Sequence, residues 1–174
     1  YSNLDADGHI VSPIFHEISD DVFKKIKSDS NFLFVDPQGF LRQKDSNNNI
    51  ILKKTDLDFS NVNAIKINPE EGQNIVSGSH DEMMLALQKK GIEYVLLTNK
   101  VDVSLLVKNR VYSLKLPNKN IHDTTGIGDI FCSAFTCTML KEKDFLWALC
   151  FAAGSAQAAL ESNNVGLQKI PKKG

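Results

Sequence analysis

Asp123-Thr124-Thr125-Gly126-Ile127-Gly128-Asp129, followed by the apolar run 130–140, is the stretch on which the reading of this chain turns. Phe131, Ala134, Phe135, Thr138 and Met139 recur at 3.6-residue spacing, which predicts a helix with one buried face. The first amides of a helix have no intrahelical partner, and the helix dipole adds partial positive charge there. Glycines let that backbone approach an oxyanion closely, so Gly126, Ile127 and Gly128 suit an anion cradle. Asp129 then stands beside the cradle, placed to take a proton from an attacking hydroxyl. Taken alone, the stretch reads equally as Asp123 or Thr124 capping a buried helix, with glycines easing the turn.

Working outward, short apolar runs alternate with helical patterns. Residues 1–13 suggest a hairpin or edge strand, and Ser19-Asp20-Asp21 caps a helix to about Lys27 with Val22, Phe23 and Ile26 inward. Runs 32–35, 64–67 and 94–97 have the unbroken apolar character of parallel strands covered on both faces. The first ends in the turn Asp36-Pro37-Gln38-Gly39, the second in Asn68-Pro69-Glu70-Glu71, which starts a helix with Asn68 as its cap. A helix from His80 to Lys90, with Met83, Met84, Leu85 and Leu87 apolar, ends at Gly91. Residues 101–107 and 110–116 read as a hairpin turned at Lys108-Asn109, and a closing helix runs from about Phe145 to Glu161. This order implies an α/β fold, a mostly parallel sheet with helices on both faces, in one domain spanning 1–174.

With 174 residues, 42% hydrophobic and 24% charged at a net charge of −1, the chain can bury a sizeable core. The balance offers no electrostatic footprint for nucleic acid or an anionic membrane. Cys132, Cys137 and Cys150 lie in apolar helical patterns without metal-ligand spacing, which predicts reduced core thiols in a cytoplasmic protein. His9, His16, His80 and His122 show no ligand or triad spacing. The chain opens at Tyr1 inside what reads as an extended segment, so a fragment of a longer protein is expected.

The seven-residue stretch resembles the signature of the PfkB, or ribokinase-like, carbohydrate kinases, usually DTTGAGD followed by Thr-Phe. Here Ile127 stands for the alanine and Ile130 for the threonine. The resemblance implies a three-layer ribokinase-like fold, with the amino-terminal part and lid of intact members missing. It also implies ATP as donor and a sugar or nucleoside as acceptor, with Asp129 as base and Gly126, Ile127 and Gly128 as anion hole. Asn68 and Glu71 match the family's N-x-x-E pair, which helps place Mg²⁺. Asp36, Gln38 and Arg42 fall where members carry a stretch near the substrate. Thr98 matches the start of a nucleotide-facing loop whose two glycines are replaced by Lys100 and Val103, which puts nucleotide affinity in question. By the same resemblance Thr124 and Thr125 are expected to flank the nucleotide, and Ala153 lies in a small-residue run resembling the adenine pocket wall. Asp123, Thr125 and the turn near Gly166 fall where some members bind a monovalent cation. An alternative is a kinase-derived nucleotide-binding module without catalysis. A sheet edge or apolar face exposed by the missing part would favour a homodimer.

Overall fold

The computed structural model describes residues 1–2, 5–99, 102–117, 123–162, 164 and 166–171. The chain folds as two compact units, one of residues 1–99 and 104–112, the other of 100–103 and 113–174. The first begins with β1 (His9–Val11), α1 (Asp20–Asp29), β2 (Leu33–Val35) and the single helical turn α2 (Gln38–Leu41). After these come β3 (Arg42–Lys44), β4 (Ile50–Leu52), β5 (Ala64–Ile67), α3 (Pro69–Ile75), α4 (His80–Lys89) and β6 (Tyr94–Thr98). The strands β7 (Asp102–Val107) and β8 (Arg110–Lys115) complete a six-stranded sheet of order β1-β2-β5-β6-β7-β8. The pairs β1/β2, β2/β5 and β5/β6 are parallel, as expected of strands joined through helices.

Local chemistry sets the boundaries. Ser19 caps α1 by accepting from the Val22 amide, and Asn68 and Ser79 close full capping boxes with Glu71 and Glu82. Lys108 and Asn109 have φ of 49° and 59°, the paired left-handed geometry that matches strand twist in a two-residue hairpin. Along β5 and β6 the odd positions Ile65, Ile67, Val95 and Leu97 enter one core with Val35, Met84 and Leu87. That core is closed by Phe23, Phe40 and Phe59, whose rings stand 5.3, 5.8 and 6.0 Å apart. Truncating any of the three to alanine costs about 3–5 kcal/mol by the usual behaviour of buried aromatics.

Three features go beyond the sequence reading. The turn after Asp36 is helical, and its Gly39 lies against Pro13: a Cβ there would stand 2.3 Å from the Pro13 carbonyl. It leads into an unanticipated antiparallel ribbon, β3 with β4, whose turn is fastened by the Asp45 carboxylate accepting from the Asn47 and Asn49 amides. Leu85 is 40% exposed, since α4 turns only Met83, Met84 and Leu87 inward.

The second unit is built on two helices, α5 (Ile127–Glu142) and α6 (Phe145–Glu161), followed by the 3-10 turn Gly166–Lys169. Asp144 caps α6 by accepting from the Leu146 and Trp147 amides. Ala148, Ala152, Ala153, Ala156 and Ala159 are buried, letting α6 pack closely on α5, which buries Phe131, Cys132, Phe135 and Met139. Among the described residues, no helix is long and apolar enough to cross a membrane.

Candidate functional site

The glycine stretch enters α5 without a side-chain cap. Gly126 is the N-cap residue, at φ 77°, and has no side chain to accept from the first turn. By contrast Ser19, Asn68, Ser79 and Asp144 cap α1, α3, α4 and α6. Glycine is needed at Gly126 because a left-handed conformation costs other L-residues about 1–2 kcal/mol. A Cβ at Gly126 would meet no protein atom within 4 Å, so the helix start faces open space. Neither Asp123 nor Thr124 is the cap. The Asp123 carboxylate accepts instead from the Thr125 amide at 2.9 Å, and Lys169 Nζ donates to its Oδ2. These donors, Lys169 first, hold the Asp123 carboxyl well below the usual range. Asp129 lies exposed in the first turn of the helix.

From Thr125, Gly126 and Asp129 a groove of about 1100 Å³ runs along α5 and α6. Its walls carry Ser133 and Cys137 from α5, Trp147, Phe151 and Gly154 from α6, and Leu167 and Ile170 beyond. Trp147 and Phe151 lie with ring centroids 6.2 Å apart and are about half exposed, at 54% and 48%. Exposed aromatic and aliphatic side chains gathered in one groove mark a surface that takes a ligand or partner. The sequence reading placed all three cysteines in the core, yet only Cys132 is buried; Cys137 and Cys150 face the groove. Ala153 is 2% exposed and does not line it, so the wall belongs to Gly154 and Ser155.

The remaining sequence-derived residues lie in the first unit, at the carboxyl ends of β2, β5 and β6. Asn68 Oδ1 accepts from the Glu71 amide at 2.8 Å, and Glu71 Oε2 accepts from the Asn68 amide at 2.9 Å. Glu71 is buried, and desolvation pushes its carboxyl above the ordinary 4.5, with Asp36 adding to the rise and Lys66 and Arg42 opposing it. Asp36 is also buried, with its Oδ2 2.7 Å from Lys66 Nζ. Arg42 Nη1 donates to the Ile14 carbonyl at 3.2 Å, and the Thr98 hydroxyl to the Ile67 carbonyl at 3.4 Å. Lys100 and His122 lie outside the described residues.

Lys66 and Lys169 were missed from sequence. Lys66 left a trace, a lone charge inside the apolar strand 64–67. Lys169 left none, since it reaches Asp123 across 46 residues.

The pfkB family carbohydrate kinase profile matches residues 38–173. Among curated proteins, none matches the chain. Among solved structures, the chain is similar to a pyrophosphate-dependent kinase in the ribokinase family complexed with a pyrophosphate analog and myo-inositol. That match has a TM-score of 0.77 and 20% identity, over 90% of this chain and 59% of that one. A ribokinase from Thermotoga maritima follows at TM-score 0.75 and 17% identity, over 95% and 54%. Arabidopsis thaliana ribokinase complexed with ribose and ATP matches at TM-score 0.70 and 19% identity, over 93% and 52%. At such identities the likeness establishes the fold, α/β and ribokinase-like with a mostly parallel sheet. The chain spans between about half and three-fifths of the length of these structures. With the profile covering residues 38–173, the chain belongs to the pfkB family of carbohydrate kinases.

Proposed function

We propose that the chain carries the phosphate-donor side of an ATP-dependent kinase that phosphorylates a hydroxyl of a sugar or related small molecule. The observation that carries this reading is the uncapped start of α5 at the head of an apolar groove. The helix start suits the phosphates, and the groove suits a nucleoside, which brings apolar rings to fill it; pyrophosphate has none. The similar structures complexed with a pyrophosphate analog or with ATP make both donors chemically reasonable, and the groove favours the nucleotide.

In this reading Asp129 takes the proton of the acceptor hydroxyl as its oxygen attacks the γ-phosphorus in line. The bond from that phosphorus to the β-bridging oxygen breaks, and ADP departs. Amides of Gly126 and Gly128 face the charge on the transferring group, the Ile127 amide joins them by giving up its 3.3 Å bond to the Thr124 carbonyl, and Thr124 and Thr125 flank the phosphates. Glu71 and Asn68 are the residues suited to Mg²⁺. The Glu71 carboxylate is desolvated by burial and would gain from a hydrated dication held through water. When bound, that ion neutralises charge on the phosphate oxygens. Asp36 and Arg42 remain the candidates for the acceptor side and Thr98 for the nucleotide loop.

Titration calorimetry of the chain with ATP, ADP and pyrophosphate, each with and without Mg²⁺, tests the reading beside a Gly126→Ala variant. Expected is Mg²⁺-dependent binding of ATP and ADP, weakened at least about tenfold in the variant, roughly 1.4 kcal/mol. Pyrophosphate binding without nucleotide binding would overturn the choice of donor. Nucleotide binding untouched by the variant would remove the helix start from the site.

A further inference from the structure

The family resemblance puts a monovalent cation at Asp123, Thr125 and the turn near Gly166, and the side chains found there do not fit one. Lys169 closes the 3-10 turn that begins at Gly166 and is buried to 4% exposure. Its Nζ donates to Asp123 Oδ2, to the Asp123 carbonyl at 3.1 Å and to the Thr125 carbonyl at 3.4 Å. An ammonium has three N–H donors, and here three oxygens of one loop receive them. A carboxylate and two backbone carbonyls form the kind of oxygen cage that replaces the water shell of a dehydrated monovalent ion. A free ion could enter only by expelling the ammonium and stranding it, buried, without acceptors.

We propose that Lys169 is a tethered cation that takes the place of a free one and sets the loop preceding Gly126, so that the fold is indifferent to K⁺ and Na⁺. One covalently attached charge draws both carbonyls and the Asp123 carboxylate inward. The Thr125 amide is held to Asp123 Oδ1 on the other side of the same carboxylate. The loop is thus fastened from a distant part of the sequence rather than by a diffusible ion. The depressed Asp123 carboxyl agrees with a full positive charge at this point.

The test is thermal unfolding of the chain at constant ionic strength in KCl, NaCl and tetramethylammonium chloride, without donor or acceptor. Its outcome is therefore separate from that of the kinase reading. The wild-type midpoint should agree in the three salts to within about 1 °C, a few tenths of the shift that 1 kcal/mol produces in a chain this size. Lys169→Ala should unfold several degrees lower in tetramethylammonium and recover in K⁺, with a midpoint that rises with K⁺ concentration as for a native-state ligand. Lys169→Met fills the volume without the charge and should lose stability in every salt; it serves if the alanine variant does not fold. A wild-type midpoint raised by K⁺ over tetramethylammonium would overturn the proposal. So would a Lys169→Ala variant equally stable in all three salts, or a Lys169→Met variant as stable as wild type.

Discussion

Replacing Lys66 with methionine removes a charge while keeping most of the side-chain volume. In the wild type its ammonium lies 2.7 Å from Asp36 Oδ2, and the two side chains are 10% and 7% exposed. The variant strands two buried carboxylates, Asp36 and Glu71, with Arg42 as the remaining cation acting on Glu71. Removing one partner of a buried pair costs about 3–5 kcal/mol, against a total stability of about 5–15 kcal/mol for a typical domain. At roughly 2–4 °C per kcal/mol for this chain length, the unfolding midpoint should fall by about 6–20 °C. Urea unfolding followed by far-ultraviolet circular dichroism at pH 7 reads the loss directly. The double variant Asp36→Asn/Lys66→Met should recover part of the loss, since Asp36 no longer leaves a charge unpaired while Glu71 keeps only Arg42. A loss below about 1 kcal/mol for Lys66→Met, or a double variant as unstable as the single one, would refute the reasoning.

Glu71→Gln keeps the cap, because the amide oxygen still accepts from Asn68, and removes a buried charge. Burial raises the Glu71 carboxyl, so the native state holds this proton more firmly than the unfolded chain, and its contribution to stability falls as pH rises through the interval above 4.5. The variant should lose that slope and gain on the order of 1 kcal/mol at pH 7, together with a weakened Mg²⁺ effect on nucleotide binding; lower stability at pH 7 would contradict this. Asp129→Asn, in a form of the protein that turns over, should lose ~10²–10⁴ in rate with donor binding retained. The fold should change by no more than about 1 kcal/mol, the scale of a first-turn acid against the helix dipole, and near-normal turnover would remove Asp129 from the role of base.

What could be read from sequence was what is decided locally. The caps at Ser19 and Asn68 lie within three residues of the amides they satisfy, and the Lys108-Asn109 turn lies between two alternating strands. The β3–β4 ribbon escaped because Arg42-Gln43-Lys44 has no apolar face to betray a strand. The closing helix was found with both ends correct, but not its orientation. It is apolar all round, so periodicity cannot tell that small alanines pack inward while Trp147 and Phe151 turn out. The same ambiguity misplaced Cys137 and Cys150. The partners of Asp36 and Asp123 were hidden for a different reason, since each lies far along the chain and only the folded backbone delivers it.

The capping box at α3 bears on how this sequence would drift. Asn68 and Glu71 satisfy each other's backbone amides, and losing the Asn68 cap costs typically about 1 kcal/mol. A descendant lineage released from phosphoryl transfer would therefore still retain Asn68, because folding alone demands it. Glutamine at position 71 would close the box equally well and spare the fold a desolvated charge. Relaxed selection would thus convert Glu71 to glutamine while leaving its partner untouched. In such a lineage the asparagine records only that a helix begins there, and the acid beside it records that the charge is still in use.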